Sequence, residues 1–548
     1  MSHYRTPVYA PRGVCATSQP LAASAGLAVL RRGGNAVDAA IAAAAALPVV
    51  QPGSNDIGGD MFAIVWDGSR PHGLNASGRS PAALTREAVL AAGAAEPSEA
   101  LGGAQARVGP HGAVPAHGWA AVTVPGAPAG WRDLHERFGA LPFADLFADA
   151  ISYAEHGYQV SPVVARGWAQ SVNRHATLAG AEFAEWGRVW TVDGRAPREG
   201  EHWRNPGAAR TLRLIADSRV EAFYHGEIAE ALAAFAARTG GYLTSDDLAR
   251  HTSTWVDPIP VSYHGHEVWE LPPNGQGLAA LLALGILDGV DTSGADADER
   301  RHTQIEAMKL GFADAHAYVA DPDRIDVPTA ALLDPAYLAA RRRAIGPRAA
   351  DPKPGDPARG GTVYLCTADA DGMMVSLIQS NYMGFGSFVA LPGYGFGLQN
   401  RGAGFSLDPE HPNVLAPDKR PFHTIIPGFL TRGGDPVGPF GVMGGHMQPQ
   451  GHLQVIAATV DDGLDPQAAL DTPRWQWHTG RQVAVEEALV AGDDGAALLA
   501  GLRARGHEVS VVGTGAPQFG FGQAIWRLPG GGYVAGSEPR ADGQAAAY

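Results

Sequence analysis

From Thr362 onward, side chains alternate with the period of a strand: Thr362, Tyr364 and Cys366 fall on one face, Val363 and Leu365 on the other. Asp371-Gly372 is a tight-hairpin signal, and the return strand sets Met374, Ser376, Ile378 and Ser380 on one face. Pairing of the two strands brings the Ser380 hydroxyl back beside that of Thr362. Further on, Val442-Met443 runs into Gly444-Gly445 and then a helical pattern. A strand turning into a helix there exposes backbone N–H groups suited to an oxyanion, although a plain strand–helix turn fits the same residues.

Before residue 349 the pattern is mainly helical. Residues 20–50 predict two helices, with Gly33-Gly34 ending the first and Asn35 capping an Ala-rich second. Gly58-Gly59 is a turn feeding a buried strand from Asp60 to Trp66. Residues 85–118, rich in Ala, Gly and Pro, read as a loop or insertion. Val124-Pro125-Gly126 then resets the chain into helices that run to about residue 240, with breaks near Gly157, Gly187 and Gly240. Thr244-Ser245-Asp246-Asp247 is a helix start, 255–271 alternates like strands, and Pro272-Pro273 opens a turn before an apolar helix. Helices interrupted at Pro322 and Pro328 lead to 349–361, a Pro-, Asp-, Arg- and Gly-rich linker that is the best boundary in the chain.

Composition narrows the classes. A net charge of −15 argues against a nucleic-acid or anionic-membrane surface, and no apolar run is long enough to span a bilayer. Two cysteines, Cys15 and Cys366, cannot build a disulfide framework or a zinc cluster. The first residues lack the charged and apolar regions of a secretory signal, so the expected location is cytoplasmic. P-loop, dinucleotide, nucleophile-elbow and H-E-x-x-H patterns are all missing. His446 and His452, six apart with no acid at a fixed spacing, read as structural, so neither a metal nor an organic cofactor is expected.

The candidate chemistry lies at Gly360-Gly361-Thr362. Cutting the Gly361–Thr362 bond would give Thr362 a free α-amine beside its own hydroxyl, one way to activate a nucleophile without histidine. Arg79, in a loop of small residues, has a fork free to meet a carboxylate; a solvated surface arginine is the plainer reading.

Several segments together resemble the γ-glutamyltransferase family of N-terminal-nucleophile hydrolases. They are Pro20-Leu21-Ala22, Gly33 to Ala40, Gly58-Gly59, Val124-Pro125-Gly126, Pro272-Pro273, Thr362 with Asp371-Gly372, Lys419-Arg420-Pro421, Gly444-Gly445 and Gly536 to Arg540. The resemblance implies an α+β fold, a four-layer αββα sandwich, made as one precursor. The precursor would cut itself into 1–361 and 362–548, two subunits that share one core and stay associated as a heterodimer, or a dimer of these. It implies Thr362 as processing and catalytic nucleophile, Ser380 as its supporting hydroxyl, Arg79 as holder of a substrate carboxylate, and Gly444 and Gly445 as the oxyanion hole. Substrates would be a small amide with water or an amine as acceptor.

The departures redirect the substrate. Where the family carries Asn-Asn-Gln-Met-Asp-Asp, this chain has Gln399-Asn400-Arg401-Gly402-Ala403-Gly404, so the acid that reads an α-ammonium is missing and Arg401 adds a positive charge. His423-Thr424 replaces a serine pair, Asn381 and Tyr382 follow Ser380, and the segment from Ser406 to Lys419 is too short for a lid. These changes point to the divergent branch of acylases and small-amide hydrolases, with an anionic acyl group of oxamate or glutaryl type as the alternative to γ-glutamyl. A non-catalytic binding relative is the reading from a different class.

Overall fold

Asn35 begins the helix Ala36–Val50 by side-chain chemistry, after the preceding helix Pro20–Arg31 has ended at Arg32. Its carboxamide accepts the Asp38 N–H at 3.0 Å while the Asp38 carboxylate accepts the Asn35 N–H at 3.1 Å, a reciprocal cap on the helix Ala36–Val50. The same carboxylate accepts Leu141 N–H at 3.0 Å and Ala140 N–H, which pins a distant loop to the helix start. Every residue of the helix is buried, and its run of alanines lets strands and helices approach closely.

The computed structural model describes residues 5–94, 112–291, 294–351 and 361–548. Two seven-stranded sheets organise them. The first runs Gln544–Ala547, Val14–Thr17, Gly361–Ala368, Met374–Tyr382, Asp60–Trp66, Pro71–Ala76 and Thr254–Val256 in spatial order. The second runs Val8–Ala10, Tyr533–Ser537, Phe521–Arg527, Asp435–Met443, Gly428–Arg432, His266–Glu270 and Ile259–Tyr263. All pairings within both are antiparallel.

Alternation then assigns each side chain its layer. Phe62, Ile64, Tyr364, Cys366 and Ile378 of the first sheet join Phe429, Met443, Phe521 and Ile525 of the second in one apolar cluster. Val363, Leu365, Val375 and Leu377 point the other way and meet the helices Pro20–Arg31 and Ala36–Val50. Val268, Leu430 and Val442 meet Gly277–Leu287, Ala297–Tyr318 and Met447–Val460. Burying apolar surface on both faces of both sheets, at about 25 cal/mol per Å², is the main term holding the layers together.

The expected hairpin is present, with Leu365 opposite Leu377 and Ala368 opposite Met374. Gly372 turns it at a φ of +92°. Three readings need correction. Gly187 does not break its helix: Ala184–Trp190 runs through it, held by buried Trp186 and Trp190. Part of the supposed loop at 85–118 is a helix, Arg86–Ala92, capped by Thr85; residues 95–111 lie outside the described ones. The linker is tied at its start, where Ala349 N–H bonds Arg505 O at 2.7 Å and Lys309 Nζ bonds Ala350 O at 2.9 Å; residues 352–360 lie outside the described ones. Among the described residues, no helix is long and apolar enough to cross a membrane.

Asp38→Ala strips the cap and leaves the N–H groups of Ala140 and Leu141 without their acceptor. The expected loss is about 3 kcal/mol of unfolding free energy, read from the midpoint of a denaturant titration.

Candidate active site

Thr362 is the second residue of its strand and sits where the ladder slips. Gly361 pairs with Tyr382 and Val363 with Gln379, so Thr362 occupies a bulge, a device that re-aims a side chain. Its Oγ1 lies 3.2 Å from Ser380 Oγ and 3.4 Å from Gln448 Nε2. Ser380 Oγ also accepts the Tyr382 N–H at 2.8 Å, which leaves its own hydroxyl hydrogen able to turn toward Thr362. That N–H belongs to a tyrosine held at a φ of +78°, a strained conformation for a bulky residue. The hairpin thus places the two predicted hydroxyls in contact.

Gly444 and Gly445 form the turn between the strand Asp435–Met443 and the helix Met447–Val460, at φ of +132° and +62°. A Cβ on Gly444 would stand 3.2 Å from Gly520 Cα and from Met447 Cβ, so both conformation and space demand glycine. Gly444 O accepts Met447 N–H at 3.1 Å, and Gly445 O accepts Gln448 N–H at 3.1 Å and Gln276 Nε2 at 2.9 Å. Gln276 also donates to Thr424 O at 2.6 Å, and Gln448 Oε1 accepts Ile426 N–H at 3.0 Å. Two buried glutamines therefore tie the glycine turn to the segment that carries His423 and Thr424.

The remaining predicted residues close a ring with the nucleophile. Asn400 N–H bonds Asn381 O at 3.1 Å, which anchors the Arg401 segment to the end of the Ser380 strand. Arg401 is 1% exposed, donates from Nη1 to Thr424 Oγ1 at 2.6 Å and lies 4.7 Å from the centre of the Tyr382 ring. Burial pulls its pKa down to about 10, opposed by the charge of Asp60, so the guanidinium stays cationic at neutral pH. Among the described residues, Arg401 Nε and Nη2 and both side-chain polar atoms of Asn381 are buried with no hydrogen-bond partner.

His423 is turned away from that space. Its Nδ1 accepts the Ile425 N–H at 3.3 Å, which places the ring proton on Nε2 facing Asp60 Oδ2 at 3.1 Å. Burial, reinforced by Arg401 and Arg420, holds its pKa well below the usual range, so the ring is a neutral donor. Asp60 was read from the sequence only as the start of a buried strand; a charged residue opening the apolar run Met61 to Trp66 was the signal available. It stands directly across the ladder from Ser380. Its Oδ1 accepts the Gly78 N–H at 3.2 Å, and burial pushes its carboxyl up to about 7 against Arg401 and the N–H groups of Gly78 and Gly126.

The Val124-Pro125-Gly126 motif finds its reason at this carboxylate. A Cβ on Gly126 would fall 1.6 Å from Ala76 O, and one on Gly78 would fall 1.6 Å from Val124 O. Only two glycines let these segments cross closely enough to bring the Gly78 N–H to Asp60 and the Gly126 N–H to Gly59 O at 2.9 Å. Arg79, the next residue, is not free: it pairs with Asp321 at 2.8 Å and with Asp323. Asp321 also accepts the Arg420 N–H at 2.9 Å, while Lys419 Nζ caps Pro412 O and Val414 O. Lys419-Arg420-Pro421 is thus a structural clasp. His452 does have an acid, Glu270 at 2.6 Å, in a buried pair on the far side of the second sheet.

Fold and site define an enzyme, a hydrolase of the N-terminal-nucleophile type. The chain belongs to the gamma-glutamyltranspeptidase family, whose model matches residues 22–548. It is 37% identical to the oxamate amidohydrolase proenzyme of Klebsiella pneumoniae subsp. pneumoniae, over 98% of this chain and 98% of that protein. It is 35% identical to the glutathione hydrolase-like YwrD proenzyme of Bacillus subtilis, over 96% of each. Among solved structures, the cephalosporin acylase from Bacillus halodurans superposes with a TM-score of 0.92 at 51% identity, covering 99% of this chain and 97% of that one.

Ser380→Ala leaves the Tyr382 N–H buried without its acceptor. Unfolding free energy should fall by about 1–3 kcal/mol in a denaturant titration, and Ser380→Thr, which keeps the oxygen, should retain most of it.

Proposed function

We propose that the protein is a self-cleaving amidohydrolase that uses Thr362 as nucleophile and acts on amides of acyl groups that carry a carboxylate but no free α-amine. The observation that carries the reading is the contact of Thr362 Oγ1 with Ser380 Oγ at 3.2 Å, one residue into a strand that begins at Gly361. Apolar clusters on the outer faces of both sheets support the four-layer αββα arrangement, with 1–361 and 362–548 as the two parts of one core. Five pairings join strands from different parts, so the parts remain a heterodimer after cleavage.

In maturation, Thr362 Oγ attacks the Gly361 carbonyl and the acyl group shifts from nitrogen to oxygen. Water hydrolyses the ester, releasing the Gly361 carboxylate and a free Thr362 α-amine. That amine, with a reference pKa near 8, takes the hydroxyl proton as Oγ attacks a substrate amide. The N–H groups of Gly444 and Gly445 hold the oxyanion, and the proton passes to the leaving amine. Water, or an amine acceptor, then resolves the acyl-enzyme.

The substrate class follows from Arg401. A buried guanidinium with two unpaired N–H directions costs several kcal/mol unless an acceptor meets it, and a carboxylate matches its fork. Asn381 offers one donor and one acceptor beside it. Arg79 is already matched by Asp321 and Asp323, so the carboxylate role moves from Arg79 to Arg401. A γ-glutamyl group would bring an α-ammonium to that cation, whereas glutaryl and oxamate acyl groups would not. The relatives named oxamate amidohydrolase and cephalosporin acylase fit this class.

Denaturing electrophoresis of the purified protein should show two fragments, about two thirds and one third of the chain, and Thr362→Ala should run as one inactive band. An uncut Thr362→Ala chain that still hydrolyses an amide sinks the nucleophile assignment. In parallel assays, wild type should favour glutaryl and oxamate amides over γ-glutamyl amides, and Arg401→Met should raise KM for the favoured anionic substrate at least tenfold. A clear preference for γ-glutamyl amides would overturn the substrate class.

A further inference from the structure

Asp60 is buried within electrostatic reach of the cation that the proposed substrate needs. It opens the strand Asp60–Trp66 directly opposite Ser380, so both side chains stand on the face of the sheet that carries Thr362. From there a closed circuit can be followed. Thr362 touches Ser380, Ser380 accepts from the Tyr382 N–H, the Tyr382 ring lies under Arg401, and Arg401 donates to Thr424. His423, beside Thr424, donates to Asp60, which returns to Ser380 across the ladder. The circuit encloses one anion and one cation that no direct hydrogen bond joins.

We propose that Asp60 is a specificity-determining residue: its charge is set against Arg401, so that the protonation state of Asp60 decides how strongly the pocket holds a substrate carboxylate. The inference rests on the reading of Arg401 as the carboxylate site.

Charge bookkeeping gives the direction. The cations facing Asp60 are Arg401 and Arg420; Tyr224 faces it from the Glu221–Tyr224 helix, and Tyr382 lies across Arg401. His423 is held neutral by burial, and Tyr224 is held protonated by burial, so neither changes charge near neutral pH. Arg401, at about 10, stays cationic. Asp60, raised by burial to about 7, is the group in the circuit that titrates there. Above that pH its negative charge offsets Arg401 and repels an incoming carboxylate; below it, Arg401 is left to the substrate. The mature Thr362 amine also titrates near this range, but it serves every acyl group alike and cancels in a ratio of substrates.

The experiment compares kcat/KM for glutaryl and pentanoyl p-nitroanilides, matched in length and differing by one carboxylate, from pH 5.5 to 8.5. In wild type the glutaryl-to-pentanoyl ratio should fall roughly tenfold as pH rises through 7, the scale of one unit charge about 12 Å away at an effective dielectric constant near 20. In Asp60→Asn the ratio should be flat with pH and roughly tenfold above wild type at pH 8.5. A ratio in Asp60→Asn that keeps the wild-type value and pH course overturns the assignment. Should that variant fail to mature, the wild-type profile decides alone, and a pH-independent ratio overturns it. A wild-type enzyme that shows no preference for glutaryl at any pH removes the Arg401 reading, and this inference falls with it; a glutaryl preference without pH dependence removes only the role of Asp60.

Discussion

The strand that begins at Gly361 is trapped between neighbours. Four residues of it pair with Val14–Thr17 on one side, and every residue but the bulged Thr362 pairs with Met374–Tyr382 on the other. Its far end is clasped too, since Thr367 Oγ1 donates to Ala36 O at 2.7 Å and Asp369 accepts the Ala36 N–H at 2.8 Å. A nucleophile at the start of such a strand keeps its place whether or not the peptide bond before it is intact. Cutting that bond frees one amine and disturbs no ladder pair beyond Gly361 itself. The two sheets, the helices that cover them and the crossing glycines all bear on holding that one strand end.

Around that end the site concentrates buried polarity. Asp60, Arg401, His423 and Gln276 are all at most 1% exposed, and each is costly there unless its partners are complete. Most are completed by backbone rather than by one another. Asp60 takes an N–H from Gly78, His423 takes one from Ile425, and Gln276 spans two carbonyls. Around the threonine, Arg401 and Asn381 each keep two polar atoms unmatched, and Gln276 keeps its Oε1 unmatched. Unmatched donors gathered at one buried cation are what the proposed carboxylate site draws on.

What could be read in the sequence was what local periodicity controls. Alternation assigned the faces of Thr362, Val363 and Tyr364, the Asp-Gly turn closed the hairpin, and the Asn35 cap needed only its neighbour three residues on. Partners brought from afar were hidden. Arg79 looked free because its acids lie at 321 and 323, and His452 looked unpaired because Glu270 is supplied by a different sheet strand. Gly187 looked like a break because propensity favours one, but burial of tryptophans on either side outweighs a cost of about 1 kcal/mol. Asp60 was the residue most worth finding. Its first partner, the Gly78 N–H, is eighteen residues on, and its second, His423, is 363 residues on.

The proposed nucleophile and the Arg401 site rest on different supports. Thr362 and Ser380 are fixed by strand pairing, and Gly444-Gly445 by a strand–helix junction. Arg401 and Thr424 are held by segments outside the ladders, joined to each other and to the sheets through Asn381, Asn400, Gln276 and Gln448. Replacing a side chain on those segments changes the charge offered to a substrate without shifting the threonine. The departures that the sequence resemblance implied, at 399–404 and 423–424, lie on those segments, whereas Thr362, Gly444-Gly445 and the hairpin lie on the sheet framework. On the proposed reading, the reacting end of the site is set by the fold, and the acyl group it accepts is set by the two bridging segments and the one buried acid that faces them.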